Sequence, residues 1–231
     1  MAISKNKIYL TNLFIIDWDD TLFPTTWFNK NNIDFNNKNL LLEYKLYFIE
    51  LDKTINMLLE SLNQIGDIFI VTNASINWIK SCLVNLDSSR KTIIKNNIRI
   101  VSARDSYSKY NNSPTEWKIL TFQDIVENII EKINHNIKPN TIINIISVGD
   151  AMYEYIALIN LDNFIKSYIK NNHINIKNNF NNINNFDYLL KNIKFIEKPE
   201  FDFIIEQMQI LHKNSHDIVN KLEFIDLKFK T

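Results

Sequence analysis

The sequence predicts an α/β fold: a doubly wound, mostly parallel sheet with flanking helices and no large cap domain. Short, continuous apolar runs carry half of that prediction. LFII (13–16), DIFIVT (67–72), IRIVSA (98–103) and NIISVG (144–149) lack the alternation of a half-exposed strand, so they read as strands buried on both faces. Helical patterns between them carry the other half, because strands that alternate with helices build parallel sheets covered on both sides. A fifth run, NIKFIEK (192–198), is weaker. The segment LEFIDLKFK (222–230) alternates from Ile225 through Leu227 to Phe229, as an edge strand does.

The longest helical pattern spans about 38–64, where Leu41, Tyr44, Phe48, Leu51, Ile55, Leu58 and Leu62 recur at helical spacing. Leu42, Leu46, Ile49 and Leu59 widen this stripe, which favours a helix packed on the sheet over a coiled-coil seam. Ser113-Pro114-Thr115-Glu116 opens a second helix, with Ser as N-cap, Pro in the first turn and Glu closing a capping box. Phe122, Ile125 and Ile129 supply its buried face. A third helix begins near Pro199 and carries Ile204, Met208 and Leu211. The asparagine-rich stretch 171–187 reads either as a long loop or as an insertion. The core is expected over residues 1–160, with a C-terminal extension over 161–231 that holds this stretch, the fifth strand, a helix and the edge strand.

Composition narrows the setting. Lysine plus arginine and aspartate plus glutamate both number 26, so no chain-wide field draws the protein to nucleic acid or an anionic membrane, although a local basic patch stays open. The apolar run 8–16 is too short to span a bilayer. The single cysteine, Cys82, falls on an apolar helical stripe as a small buried thiol and suits a reducing compartment. A soluble, cytoplasmic monomer or weak dimer is the expectation. Only two glycines occur, Gly66 and Gly149, so each is expected to meet a backbone need.

Four motifs stand at the carboxyl ends of expected strands. Asp17 and Asp19 lie two apart in IIDWDDT, and carboxylates that close repel unless a cation or shared proton relieves them. Thr72-Asn73 offers a hydroxyl and backbone N–H groups to an oxyanion. Lys118 sits in the first turns of a capped helix, where a cation opposes the macrodipole, so its charge is either solvated or aimed at a bound phosphate. Gly149-Asp150-Ala151-Met152-Tyr153-Glu154 presents two acids one helical turn apart, hard oxygen donors of the kind that suit Mg²⁺. Each motif alone has an ordinary interpretation as turn chemistry or a solvated side chain.

Together, in this order, they resemble the four signature motifs of the haloacid dehalogenase superfamily, whose core is Rossmann-like. The resemblance covers about residues 10–160, with Glu154 where Asp is commoner and Asp20 where Gly is frequent. More narrowly, the DWDDTLFPTTW segment is similar to uncharacterised members from protists and viruses. The resemblance implies a Mg²⁺-dependent phosphatase or phosphotransferase of the capless type. It implies Asp17 as nucleophile through an aspartyl-phosphate, Asp19 as acid and base, and Thr72, Asn73 and Lys118 as the phosphoryl grip. Asp17, the carbonyl of Asp19, Asp150 and Glu154 are the implied metal residues. Asp19 also favours phosphoester chemistry over dehalogenation. Arg104, after the third strand, is a substrate-contact candidate because arginine is used sparingly and this one sits at the same sheet edge. The implied substrate is a phosphomonoester, either on a protein, at a nucleic-acid end, or on a metabolite. A catalytically silent binding protein that keeps the fold is the competing class.

Overall fold

The computed structural model describes residues 8–134, 141–171 and 186–230. Its strands are β1 (Tyr9–Ile16), β2 (Asp67–Thr72), β3 (Arg99–Ser102), β4 (Thr141–Gly149), β5 (Phe186–Lys194) and β6 (Ile225–Lys228). They form one sheet in the order β3-β2-β1-β4-β5-β6, and every neighbouring pair is parallel. Helices α1 (Thr25–Lys30), α2 (Lys38–Glu43) and α3 (Lys45–Asn63) follow β1, and α4 (Ile76–Leu83) and α5 (Asp87–Lys95) follow β2. Then come α6 (Ala103–Tyr107) and α7 (Pro114–Asn134) after β3, α8 (Met152–Asn171) after β4, and α9 (Phe201–Asn220) between β5 and β6. This is the doubly wound fold. The strand order reverses at β1, which has β2 on one flank and β4 on the other. In such sheets the crevice for ligands lies beyond the carboxyl ends of the strands at that reversal.

Alternation along β1 explains why it reads as an unbroken apolar run. Phe14 and Ile16 enter one core with Leu51, Ile55 and Leu58 of α3 and Ile204 and Met208 of α9. Leu13 and Ile15 enter the opposite core with Phe122 and Ile125 of α7 and Leu161 and Ile165 of α8. A polar pair interrupts the middle of the sheet. Asn12 and Asn144 are register partners on β1 and β4, and the Asn144 side-chain amide donates to Asn12 Oδ1 at 2.7 Å. Asn12 also donates to Ile65 O, and Asn144 to Val219 O. Gly66 answers the expectation placed on it here, since a Cβ would come within 2.5 Å of Asn12 O.

Two expectations are corrected. The pattern at 38–64 is two helices, because Tyr44 (φ −90°, ψ 10°) ends α2 and starts α3. The break lets Tyr44 and Tyr47 pack on Trp27 at 5.6 and 5.1 Å, and it leaves Leu42, Leu46 and Ile49 largely exposed, so they do not widen the buried stripe. The fifth strand runs over Phe186–Lys194, not 192–198. Its apolar signature is broken by Lys191 and Asn192, both buried: Lys191 Nζ donates to the carbonyls of Ile218, Val219 and Lys221, and Asn192 donates to Asp226. Residue 160 lies within α8, and β5 and β6, with α9 between them in the chain, continue the same sheet beyond it. Of the asparagine-rich stretch 171–187, residues 172–185 lie outside the described residues. The edge strand and the buried Cys82 stand where the sequence placed them. Among the described residues no helix is long and apolar enough to cross a membrane.

Candidate active site

Asp17 extends the β1 ladder by one residue, its N–H donating to Val148 O at 2.9 Å. The chain then turns tightly. Trp18 O accepts from the N–H groups of both Leu22 and Phe23, and Asp20 takes a left-handed conformation (φ 54°). A non-glycine residue tolerates that region when its side chain holds it there. The Asp20 carboxylate does so by accepting from Thr26 N at 2.7 Å and Thr26 Oγ1 at 2.5 Å, which also ties down α1. Trp18, fully buried, joins the core shared by α3 and α9 and stacks on Phe23, while Asp17 on its N-terminal side meets groups from α7 and α8.

Lys118 is the buried cation of the site. Its Nζ reaches Asp17 Oδ1 at 2.5 Å, Val71 O at 2.6 Å and Glu154 Oε1 at 2.8 Å, and only 1 % of the residue is exposed. One ammonium thus clamps the ends of β1 and β2 to the start of α8. Burial works against its charge, but the Asp17 and Glu154 carboxylates outweigh burial and hold the ammonium above the ordinary lysine range. Burial also pushes the Asp17 carboxyl well above its usual range; Lys118 pulls the other way, and Glu154, Asp19 and Asp150 add to the push. Among the described residues no group donates a hydrogen bond to Asp17 Oδ2.

Asp19 is held by three donors. Thr25 Oγ1 and the Trp78 indole N–H reach Oδ1 at 2.6 and 2.8 Å, and Thr72 Oγ1 reaches Oδ2 at 2.9 Å. Thr72 itself accepts from Ala74 N at 2.8 Å, so its hydroxyl ties the second strand end to Asp19. The Asn73 side chain donates to Pro114 O at 3.1 Å, joining that loop to the start of α7. Ser113 Oγ accepts from Glu116 N, as an N-cap should. Arg104 is exposed in the first turn of α6, and among the described residues its guanidinium has no partner. Thr25 and Trp78 were not singled out from the sequence. They lie 6 and 59 residues from Asp19, and only the Thr-Thr pair after the DxD motif offered any signal.

Asp150 directly follows β4, the strand that flanks β1. Burial first, then the neighbouring Glu154 and Asp20 carboxylates, push its carboxyl up to about 7, with Lys194 pulling down. Thr21 Oγ1 donates to Asp150 Oδ1 at 3.4 Å, and Lys194 donates to its backbone carbonyl. Gly149 is required by the next turn: a Cβ there would lie 2.4 Å from Glu154 Cγ, so the glycine makes the space in which Glu154 folds back to Lys118. Gly149→Ala is expected to displace Glu154 from the ion pair and cost about 1–3 kcal/mol in urea unfolding. A midpoint equal to wild type would show that Glu154 has another low-energy path.

No family model, curated protein or solved structure matches the chain. What the site can do rests on its own geometry. Asp17, Asp19, Asp20, Asp150 and Glu154 crowd one edge of the sheet, with one buried lysine among them, and Glu154 Oε2 is buried without a hydrogen-bond partner. That surplus of buried hard oxygen suits a divalent cation. Among the described residues no three acidic, histidine or cysteine side chains converge as a ready-made cage. Mg²⁺ does not demand one, because it is held by one or two carboxylates together with waters and phosphate oxygens. The donors therefore fit Mg²⁺, which Asp17, Asp150 and the Asp19 carbonyl could hold with Glu154 alongside.

Proposed function

We propose that this chain is a Mg²⁺-dependent phosphomonoester hydrolase of the haloacid dehalogenase type, with Asp17 as nucleophile. The observation that carries the proposal is the Asp17–Lys118 contact at the strand reversal, with Asp19 held two residues further on. Asp17 Oδ2 attacks phosphorus, the bond to the leaving oxygen breaks, and an aspartyl-phosphate forms. Lys118 spends its three N–H donors on Asp17 Oδ1, Glu154 Oε1 and Val71 O, so it orients the Asp17 carboxylate and sets a positive charge beside the phosphoryl group. Asp19, aligned by Thr25, Trp78 and Thr72, protonates the leaving oxygen and then takes a proton from the water that releases phosphate. With the Thr72 hydroxyl donated to Asp19, the Asn73 N–H and Arg104 are the remaining donors for the phosphoryl group and its carrier. Bound Mg²⁺ would neutralise charge around the phosphoryl group.

The test is hydrolysis of an aryl phosphate by the folded protein with and without Mg²⁺, set beside Asp17→Asn. Turnover is expected only with the metal, and the variant should fall by about a thousandfold or more. Folded, metal-supplied wild type that is as inert as the variant on aryl phosphate, phosphopeptides and phosphorylated oligonucleotides would favour the binding-protein class instead.

A further inference from the structure

We infer that this chain forms a two-fold symmetric dimer by antiparallel pairing of β6 with the β6 of a second copy, which continues the sheet across the dyad. The inference does not depend on the enzymatic proposal. No described strand pairs with the outer edge of β6, and Asp226, Leu227 and Lys228 are exposed there. An open edge of this kind presents unpaired N–H and C=O groups and is a template for another strand. Phe229 N donates to Lys194 O, and β6 runs parallel to β5. Backbone alternation therefore turns the N–H and C=O groups of Asp226 and Lys228 away from β5, toward the free edge.

The sequence of this edge is self-complementary in one register. With the dyad at Leu227, Asp226 faces Lys228 of the second copy and Lys228 faces its Asp226. Leu227 then meets Leu227, and Ile225 meets Phe229. The outward backbone groups of Asp226 and Lys228 exchange hydrogen bonds, and Leu227 falls at the non-hydrogen-bonded position, where opposing side chains come closest. Centring the dyad on Asp226 or on Lys228 instead sets like charges directly opposite, which is unfavourable. Within one copy Lys228 Nζ is 3.2 Å from Asp226 Oδ2, so both charges already lie on one face of the strand.

On the other face Leu227 borders an apolar groove of about 240 Å³ with Ile193, Ile210, Leu211, Ile218 and Phe229. Leu227 and Ile210 are 43 % and 38 % exposed, and the second copy would cover them. Because such an interface uses the same patch on both subunits, it closes at two copies and leaves no β6 edge for a third.

Sedimentation equilibrium over a micromolar concentration series tests the pairing. The expected mass is near twice 27.4 kDa. Lys228→Asp and Asp226→Lys should each weaken the dimer by about tenfold or more, and the double swap should restore it. Leu227→Cys should give an oxidised dimer, because that position meets itself across the dyad and the native Cys82 is buried. A protein monomeric throughout the series, as pairing of this edge within its own chain would make it, overturns the inference. So does a dimer indifferent to both single charge variants, or a folded Leu227→Cys protein that fails to cross-link.

Discussion

Lys118→Met should lower unfolding stability by about 3–5 kcal/mol and abolish the proposed phosphatase turnover. Methionine nearly fills the same volume, so packing on α7 is spared and the loss is electrostatic. Asp17 and Glu154, both buried, would lose the ammonium that sits 2.5 and 2.8 Å from them, and a buried carboxyl without a counter-charge either carries the cost of its charge or takes up a proton. A second change separates structure from chemistry. Glu154→Gln added to Lys118→Met removes one of the two carboxyls left without a cation and should recover part of the stability, read as a urea midpoint. Turnover should stay lost, because the group that orients Asp17 is still missing. A single variant within about 1 kcal/mol of wild type would mean that the clamp contributes little to the fold.

Lys191→Met is expected to cost about 3 kcal/mol or more with the site left intact. Lys191 is fully buried in β5, and its Nζ donates to the carbonyls of Ile218, Val219 and Lys221 at 2.6, 3.3 and 2.6 Å. These belong to the last turn of α9 and the residue that caps it, where helix carbonyls lack intrahelical partners and a cation complements the dipole. Methionine cannot donate to them. Denaturation should show the loss, whereas the kinetic constants of the folded fraction should match wild type. Wild-type stability would mean that solvent reaches those carbonyls.

The two lysines also show what the sequence discloses. The parallel sheet was legible because β1, β2 and β4 bury both faces and so carry runs of apolar residues without alternation. Asp17, Thr72, Lys118 and Asp150 were legible as candidates because each follows such a run or a helix cap, and the fold brings their elements to one edge. β5 was misplaced because a buried lysine and asparagine satisfy distant backbone and side-chain groups, and hydropathy records only their polarity. The helix over 38–64 was drawn too long because its break is set by Tyr44 and Tyr47 packing against Trp27, a contact made through space. The same applies to Trp78 on Asp19. Lys118 read as either a solvated side chain or a phosphate ligand, and its ion pair with Glu154 crosses from one helix to another.

The amide pair in the middle of the sheet bears on the site more than its distance suggests. β1 and β4 run level from Tyr9 opposite Thr141 to Ile16 opposite Val148, with Asn12 opposite Asn144. Were β4 to slide by one residue, each amide would face a hydrocarbon or hydroxyl neighbour, and a buried polar pair would become two orphans. Asn12 is five residues before Asp17, roughly 16 Å along the strand. The pair therefore acts as a vernier set back from the strand ends, fixing how Asp17 lines up with Asp150 before any ligand arrives.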